Sequence, residues 1–247
     1  MNAIFVVPGP DGAIYEYRDV PSPAVRAGEV LVDVRATGTN RGELLARPLI
    51  RSTNPKLRPN IGGIEFAGEI VELGDGVSSW KKGDRVMGRA PGSYAEQVAV
   101  NQHALMRIPD SISFADAASI PNVFVTAHDA IVTAAQLQPE ESIMVTAAPS
   151  GVGTAALQIA RYLGAKPIFA TTRSAAKGDA LKTLGASHIV DVSKPGWVDE
   201  VKAAPRGGSA HGDHSIRCFS KRQSSFGIQI DGKIRFVRSQ SEVMHED

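Results

Sequence analysis

Residues 146–153 read Thr146-Ala147-Ala148-Pro149-Ser150-Gly151-Val152-Gly153. They follow an apolar, β-branched run at 143–147 and open a stretch with Val152, Ala156, Ile159, Ala160 and Leu163 on one helical face. A turn of small residues between a strand and a helix lets the backbone approach a diphosphate. The phosphate oxygens then meet unpaired N–H groups at the positive end of the helix dipole. Ser150, Gly151, Val152 and Gly153 are the candidates for that grip, and Gly153 would let the helix pack closely on its strand. The strict G-x-G-x-x-G string is absent, because Ala148 and Ser150 stand at its first two glycines. The same stretch also fits a tight strand-to-helix turn that holds no ligand.

About 20 residues further on, at the end of a second strand, an acidic side chain would bind the ribose diol of NAD. This chain has Thr171-Thr172-Arg173-Ser174 there, with Lys177 close behind. Hydroxyls and cations suit a 2′-phosphate, which a carboxylate would repel. Thr172, Arg173, Ser174 and Lys177 therefore favour NADPH over NADH. Arg173 and Lys177 also fit the solvated start of a helix.

These candidates need a frame. Val123, Phe124, Ala127, Ala130, Ile131 and Ala134 predict a helix, and strands are predicted at 143–147, 167–171 and 188–192. A helix is expected at 175–184, weakened at Gly178 by about 1 kcal/mol relative to alanine. Strands alternating with helices predict a parallel sheet with helical crossovers. Before residue 120 the pattern differs. Short β-rich runs at 4–7, 30–36, 66–73 and 97–100 are separated by Gly and Pro turns. The expected division is a β-rich domain at 1–120 and a nucleotide-binding domain at 121–247.

The 27 Lys and Arg nearly balance 26 Asp and Glu, leaving a formal charge of +1. That balance offers no electrostatic basis for binding nucleic acid or an anionic membrane. A single cysteine, Cys218, excludes an internal disulfide framework and any metal site built from several thiolates of one chain. The sequence lacks a signal-peptide pattern and any apolar run of the ~20 residues that span a bilayer, so a cytoplasmic location is expected.

Several separated motifs occur in order: Gly38-Thr39-Asn40-Arg41, Gly63-Ile64-Glu65-Phe66-Ala67-Gly68, Gly83-Asp84-Arg85-Val86-Met87-Gly88, Gly92-Ser93-Tyr94-Ala95-Glu96, and Ser119-Ile120-Pro121 with Thr126-Ala127-His128-Asp129-Ala130. Together with the turn at 148–153 they resemble the medium-chain dehydrogenases/reductases, closest to the zinc-independent quinone oxidoreductases of the zeta-crystallin type. The resemblance runs to about residue 203. It implies an α/β fold with a GroES-like N-terminal domain, a Rossmann-type doubly wound parallel sheet, and an active site in the cleft between them. It implies hydride transfer from NADPH to a quinone or related electron-poor alkene, and a homodimer. By the same resemblance Asn40 sits near the nicotinamide or substrate, and Thr126 bonds near the nicotinamide ribose or ring. Gly151, Val152 and Gly153 cradle the diphosphate, while Ser174 and Lys177 hold the 2′-phosphate. Asn40 also fits a turn residue, Thr126 a helix residue bonded to its preceding turn, and Glu65 a structural ion-pair partner. Asn40 and Ile64 stand where zinc-dependent relatives carry Cys and His, and an amide and an alkyl chain cannot replace those ligands.

Past about residue 203 the family pattern fades. Residues 213–219 are a candidate fourth strand with Arg217 in an otherwise apolar run, and 230–237 a candidate fifth strand. His211 and His214 read as unrelated surface residues rather than a metal pair. The Rossmann sheet is therefore expected to be incomplete. An inactive homologue that binds cofactor weakly, or acts by association, is the alternative to an active reductase.

Overall fold

The structure, a computed structural model, describes residues 1–9, 12–40, 43, 60–204 and 216–219. The chain forms two compact units, Met1–Asn122 and a second that begins at Val123.

In the first unit, β1 (Asn2–Gly9) and β2 (Gly12–Asp19) pair antiparallel. A short β4 (Asn60–Ile61) lies on the other side of β1. The larger sheet contains β3 (Glu29–Thr37), β5 (Glu65–Leu73), β6 (Arg85–Arg89), β7 (Gln97–Asn101) and β8 (Leu105–Arg107). All its pairings are antiparallel, in the order β7-β3-β5-β6-β8. Alternation decides its faces. Val30, Val32, Phe66, Ile70, Val86, Val98 and Val100 fill one core. Ala67 and Met87 face the other way, onto Ala117 and Ala118 of α1 (Phe114–Ala118). The register of β3 against β5 shifts twice, and the second shift, between Val34 and Ala36, comes just before Gly38 and Asn40. Such bulges bend a strand and redirect the residues that follow.

The second unit carries a parallel sheet in the order β11-β10-β9-β12. Its strands are β9 (Ser142–Val145), β10 (Ile168–Thr172), β11 (His188–Asp191) and β12 (Ile216–Phe219). Both sheet faces are covered, as parallel sheets require. Ile143, Val145, Ile168 and Ala170 pack with Val152, Ala156, Leu157 and Leu181 on one side. Met144, Phe169 and Val190 pack with Val201 on the other. The helices are α2 (Pro121–His128), whose first two residues close the first unit, α3 (Gly151–Tyr162), α4 (Gly178–Thr183) and α5 (Trp197–Ala203).

Two expected helices take a different form. The single helix expected from Val123 to Ala134 is α-helical only to His128 and continues as a π-helical turn, Asp129–Ala134, whose end is marked by the Ala135 N–H bonding to Ala130 O at 3.0 Å. The hydrophobic spacing used to expect a helix does not separate these two windings. The helix expected at 175–184 begins as a 3-10 turn, Ala175–Lys177, and becomes α-helical at Gly178. The fourth strand, expected at 213–219, is found as β12, parallel to β9 with Cys218 opposite Met144. Residues 230–237, His211 and His214 lie outside the described residues.

The strand order has a chemical consequence. The chain moves outward from β9 through β10 to β11, then places β12 on the opposite side of β9. Such a reversal opens a crevice at the carboxyl ends of the strands, where ligands of open α/β sheets bind. The turn at 146–150 and the start of α3 lie at the carboxyl end of β9.

Candidate functional site

Backbone geometry shapes the turn at 146–150. Ala147 takes a left-handed conformation, φ 49°, and its carbonyl accepts the Ser150 N–H at 2.9 Å. Thr171 ties the turn to β10: its hydroxyl accepts the Ala147 N–H at 3.1 Å, and its carbonyl accepts the Ala148 N–H at 3.1 Å. Thr171 is 4% exposed, so it secures the bend from inside the sheet. Ser150 is the N-cap of α3, extended at φ −81° and ψ 160°, with its Oγ accepting the Gly153 N–H at 3.1 Å. The first N–H groups of a helix have no intrahelical partner. Once Gly153 is capped and Thr154 bonds back to Ser150 O at 2.8 Å, the first-turn donors left are the N–H groups of Gly151 and Val152. An added Cβ on Gly153 would lie 2.7 Å from Ala147 O, Ala148 Cα and Ala148 O. The helix start therefore sits against the turn with no room for a side chain.

At the end of β10, the buried Thr172 turns its hydroxyl to the next bend, where it accepts the Ser174 N–H at 3.0 Å. That bond ties Thr172 to the loop that carries Arg173. Arg173 and Lys177 are exposed and form no ion pair among the described residues. An anionic group there would meet two free cations. A negative neighbour also stands nearby: Asp191 of β11 lies opposite Thr172 in register. Its carboxyl is held below the usual carboxylate range, first by the Ser193 hydroxyl at 2.6 Å and then by the Ser193 N–H at 3.0 Å. Lys194 lies 3.8 Å away and offsets that charge. The motif reading did not single out Asp191. Its only sequence signal is its place at the end of the third strand. The N–H donors at the start of α3 and the exposed Arg173 and Lys177 are two features of this unit that suit anionic groups. Thr126 lies within α2 and is half-buried.

The first unit holds a second polar centre, just after β3. Asn40 donates from Nδ2 to Glu65 Oε1 at 2.5 Å and accepts on Oδ1 from Asn122 Nδ2 at 2.7 Å. Its backbone N–H goes to Glu43 Oε2 at 2.6 Å, and the Tyr94 hydroxyl donates to the same oxygen at 2.7 Å. Glu65 is 2% exposed, and its Oε2 accepts the Asn122 N–H at 2.8 Å. Glu65 forms no ion pair among the described residues, so amide donors take the place of the cation an ion-pair role would need. Glu43 Oε1 and Ser93 Oγ are buried without a hydrogen-bond partner among the described residues. Glu43, Tyr94 and Asn122 were not candidates from sequence, because only tertiary folding brings them to Asn40. Arg41, the neighbour in the motif, lies outside the described residues.

Burial, then the hydrogen bond to Glu43, pushes the Tyr94 phenol well above its ordinary value. The sign follows from linkage. A raised acid pKa means that the folded state holds its proton more tightly than the unfolded chain. The associated stability is complete below the unfolded tyrosine pKa of about 10 and is lost as pH rises above it. Denaturant titrations at pH 8 and about pH 10.5 should therefore show the wild type losing more stability than Tyr94→Phe over that interval. Equal losses would contradict the assignment.

Among the described residues, no group of three or more His, Cys, Asp or Glu side chains is gathered to hold a metal ion. No described helix is long and apolar enough to cross a membrane.

Comparison with known proteins gives this geometry a family. The alcohol dehydrogenase GroES-like domain matches residues 26–110, and the zinc-binding dehydrogenase domain matches residues 151–225. The human synaptic vesicle membrane protein VAT-1 homolog is 35% identical over 201 residues, covering 81% of this chain and 51% of that protein. Mouse quinone oxidoreductase-like protein 2 is 36% identical over 186 residues, covering 75% of this chain and 53% of that protein. The chain thus spans about half the length of these curated relatives, at 51% and 53%. The solved quinone oxidoreductase of Coxiella burnetii superposes with a TM-score of 0.71 at 29% identity, over 83% of this chain and 65% of that one. Two domain matches in order, relatives at 35% and 36% identity and a matching fold lead to one assignment: the chain belongs to the medium-chain dehydrogenase/reductase family, in its quinone oxidoreductase-like branch.

Proposed function

We propose that this chain is an NADPH-dependent oxidoreductase that passes hydride to a quinone or a related electron-poor alkene or carbonyl, without zinc. The observation that carries the reading is the start of α3. Its Ser150 cap leaves the Gly151 and Val152 N–H groups as donors at the sheet's topological switch point. Those two N–H groups and the helix dipole bind the diphosphate. Arg173, Ser174 and Lys177 bind the 2′-phosphate, with Thr172 shaping the loop that presents them. Thr126 bonds near the nicotinamide ribose, and Asn40 donates to the acceptor's oxygen. Bound NADPH supplies the hydride, and the residues of the chain bind, orient and exclude water. The names of the quinone oxidoreductase relatives support the substrate class.

Titration with the two reduced cofactors tests the reading, with steady-state oxidation of NADPH by a small quinone as the companion assay. NADPH should bind at least about tenfold tighter than NADH, the value of one to two charge-assisted contacts. Equal or tighter NADH binding would remove the NADPH assignment. The double variant Arg173→Ala/Lys177→Ala should bring the two affinities to within about threefold, leaving NADH binding nearly unchanged. An equal fall for both cofactors would show that these cations do not read the 2′ position.

A further inference from the structure

We infer that Glu65 and Asn122 are positioning residues that fix the Asn40 side-chain amide as a hydrogen-bond donor, and so restrict the acceptor to molecules with a carbonyl oxygen at that point. The inference deepens the proposed function and rests on its placement of Asn40 at the acceptor.

An asparagine amide is ambiguous by itself: it can present either its oxygen or its NH₂ to a substrate. Here both choices are closed. Glu65 Oε1 lies 2.5 Å from Asn40 Nδ2. A carboxylate only accepts, so it must face the NH₂ end of the amide. At the other end, Asn122 Nδ2 donates to Asn40 Oδ1 at 2.7 Å. Reversing the amide would set oxygen against carboxylate and NH₂ against NH₂, losing both bonds and adding two repulsive contacts. Glu65 is itself held, because Oε2 accepts the Asn122 N–H at 2.8 Å. Its backbone carbonyl also accepts the Thr37 hydroxyl at 2.7 Å. Asn122 therefore touches both partners of the pair, through its backbone to Glu65 and through its side chain to Asn40. The Asn40 backbone is fixed separately by Glu43 Oε2 at 2.6 Å.

The clamp also depends on a missing side chain. A Cβ on Gly38 would collide with the Glu65 carboxylate and lie 2.8 Å from the Ala118 carbonyl. Glycine at position 38 is what lets Glu65 come up beneath Asn40. With one Nδ2 hydrogen bound to Glu65, the second has no partner among the described residues, and Asn40 is only partly buried. A charge-assisted bond on the first hydrogen polarises the amide. Oδ1 keeps a second lone pair beside its bond from Asn122, and the NH₂ end presents one oriented N–H donor. It suits the oxygen on which negative charge collects when hydride reaches a quinone or enone, and it offers nothing to a donor group such as a hydroxyl proton.

Nuclear magnetic resonance of the ¹⁵N-labelled full chain reads the orientation directly. The two Asn40 side-chain amide protons should be widely separated, with the carboxylate-bonded one displaced downfield. Glu65→Gln should collapse that separation. Asn122→Ala, at a partly exposed position, should narrow it and keeps the test open if the buried Glu65→Gln does not fold. Duroquinone, added without reductant and lacking a free ring position for thiol addition, should shift the second proton in the wild type. In turnover, Asn122→Ala should lower kcat about tenfold while leaving NADPH affinity within about twofold, the split expected when orientation alone is lost. An unseparated proton pair in the wild type, or a separation that survives both substitutions, overturns the inference. A separation that the substitutions collapse, with no response to duroquinone, upholds the clamp and instead removes Asn40 from the acceptor site.

Discussion

Gly153→Ala should lower the stability of the second unit by about 1–3 kcal/mol and weaken NADPH binding at least about tenfold. An added Cβ would meet Ala147 O, Ala148 Cα and Ala148 O, each at 2.7 Å. All three are backbone atoms of a turn already pinned to Thr171, so none can swing aside as a side-chain tip would. The start of α3 must move outward and carry the Gly151 and Val152 N–H groups with it. Alanine favours a helix over glycine by about 1 kcal/mol, which opposes the clash without cancelling it. Gly178→Ala provides the control. There an added Cβ meets only Ile189, at 3.8 Å, and the substitution should be neutral or stabilising by up to about 1 kcal/mol. Denaturant unfolding and cofactor titration of the two variants check the pair. A Gly153→Ala protein as stable and as tightly binding as wild type would contradict the close-packed helix start.

Asn40→Ala should reduce kcat with a small quinone about a hundredfold, while NADPH affinity stays within about threefold. Loss of one preorganised donor to a developing oxyanion typically has that size. The proposed cofactor grip is built from Ser150, Gly151 and Val152 of the second unit, and Asn40 takes no part in that proposal. Some stability should fall as well, because truncation strips Glu65 Oε1 and the Asn122 amide of their partner. Thermal unfolding alongside the kinetics separates the two effects. An unchanged turnover number would take Asn40 out of the chemistry.

The sequence reveals the nucleotide-binding half more fully than the polar centre, for a physical reason. The nucleotide turn is local. Strand, small-residue bend, Ser150 cap and helix follow one another within 142–162, and each has its own period or capping signature. The parallel sheet follows from the alternation of such units, and β12 lies past residue 203, where the family pattern fades, because the run at 213–219 still reads as a strand. The polar centre is built from residues 40, 43, 65, 94 and 122. No periodicity links those positions. Asn40 and Glu65 entered through motif resemblance, whereas Asn122 and Tyr94 depend on where β5, the 92–94 turn and the start of α2 come to rest. The π-helical turn after His128 was hidden for a related reason. Apolar spacing marks which face is buried and is nearly blind to whether a turn closes at four residues or five.

The pairing of β3 also bears on the order of assembly. Its partners β5 and β7 begin at Glu65 and Gln97, so β3 must close loops of dozens of residues before its edges are satisfied. Every parallel neighbour among β9, β10 and β11 is instead the next strand along the chain. Folds dominated by distant pairings form slowly and those built from near neighbours form quickly. The β9–β10–β11 part of the second unit therefore has the shorter loops to close, whereas β12 must return across that unit to reach β9.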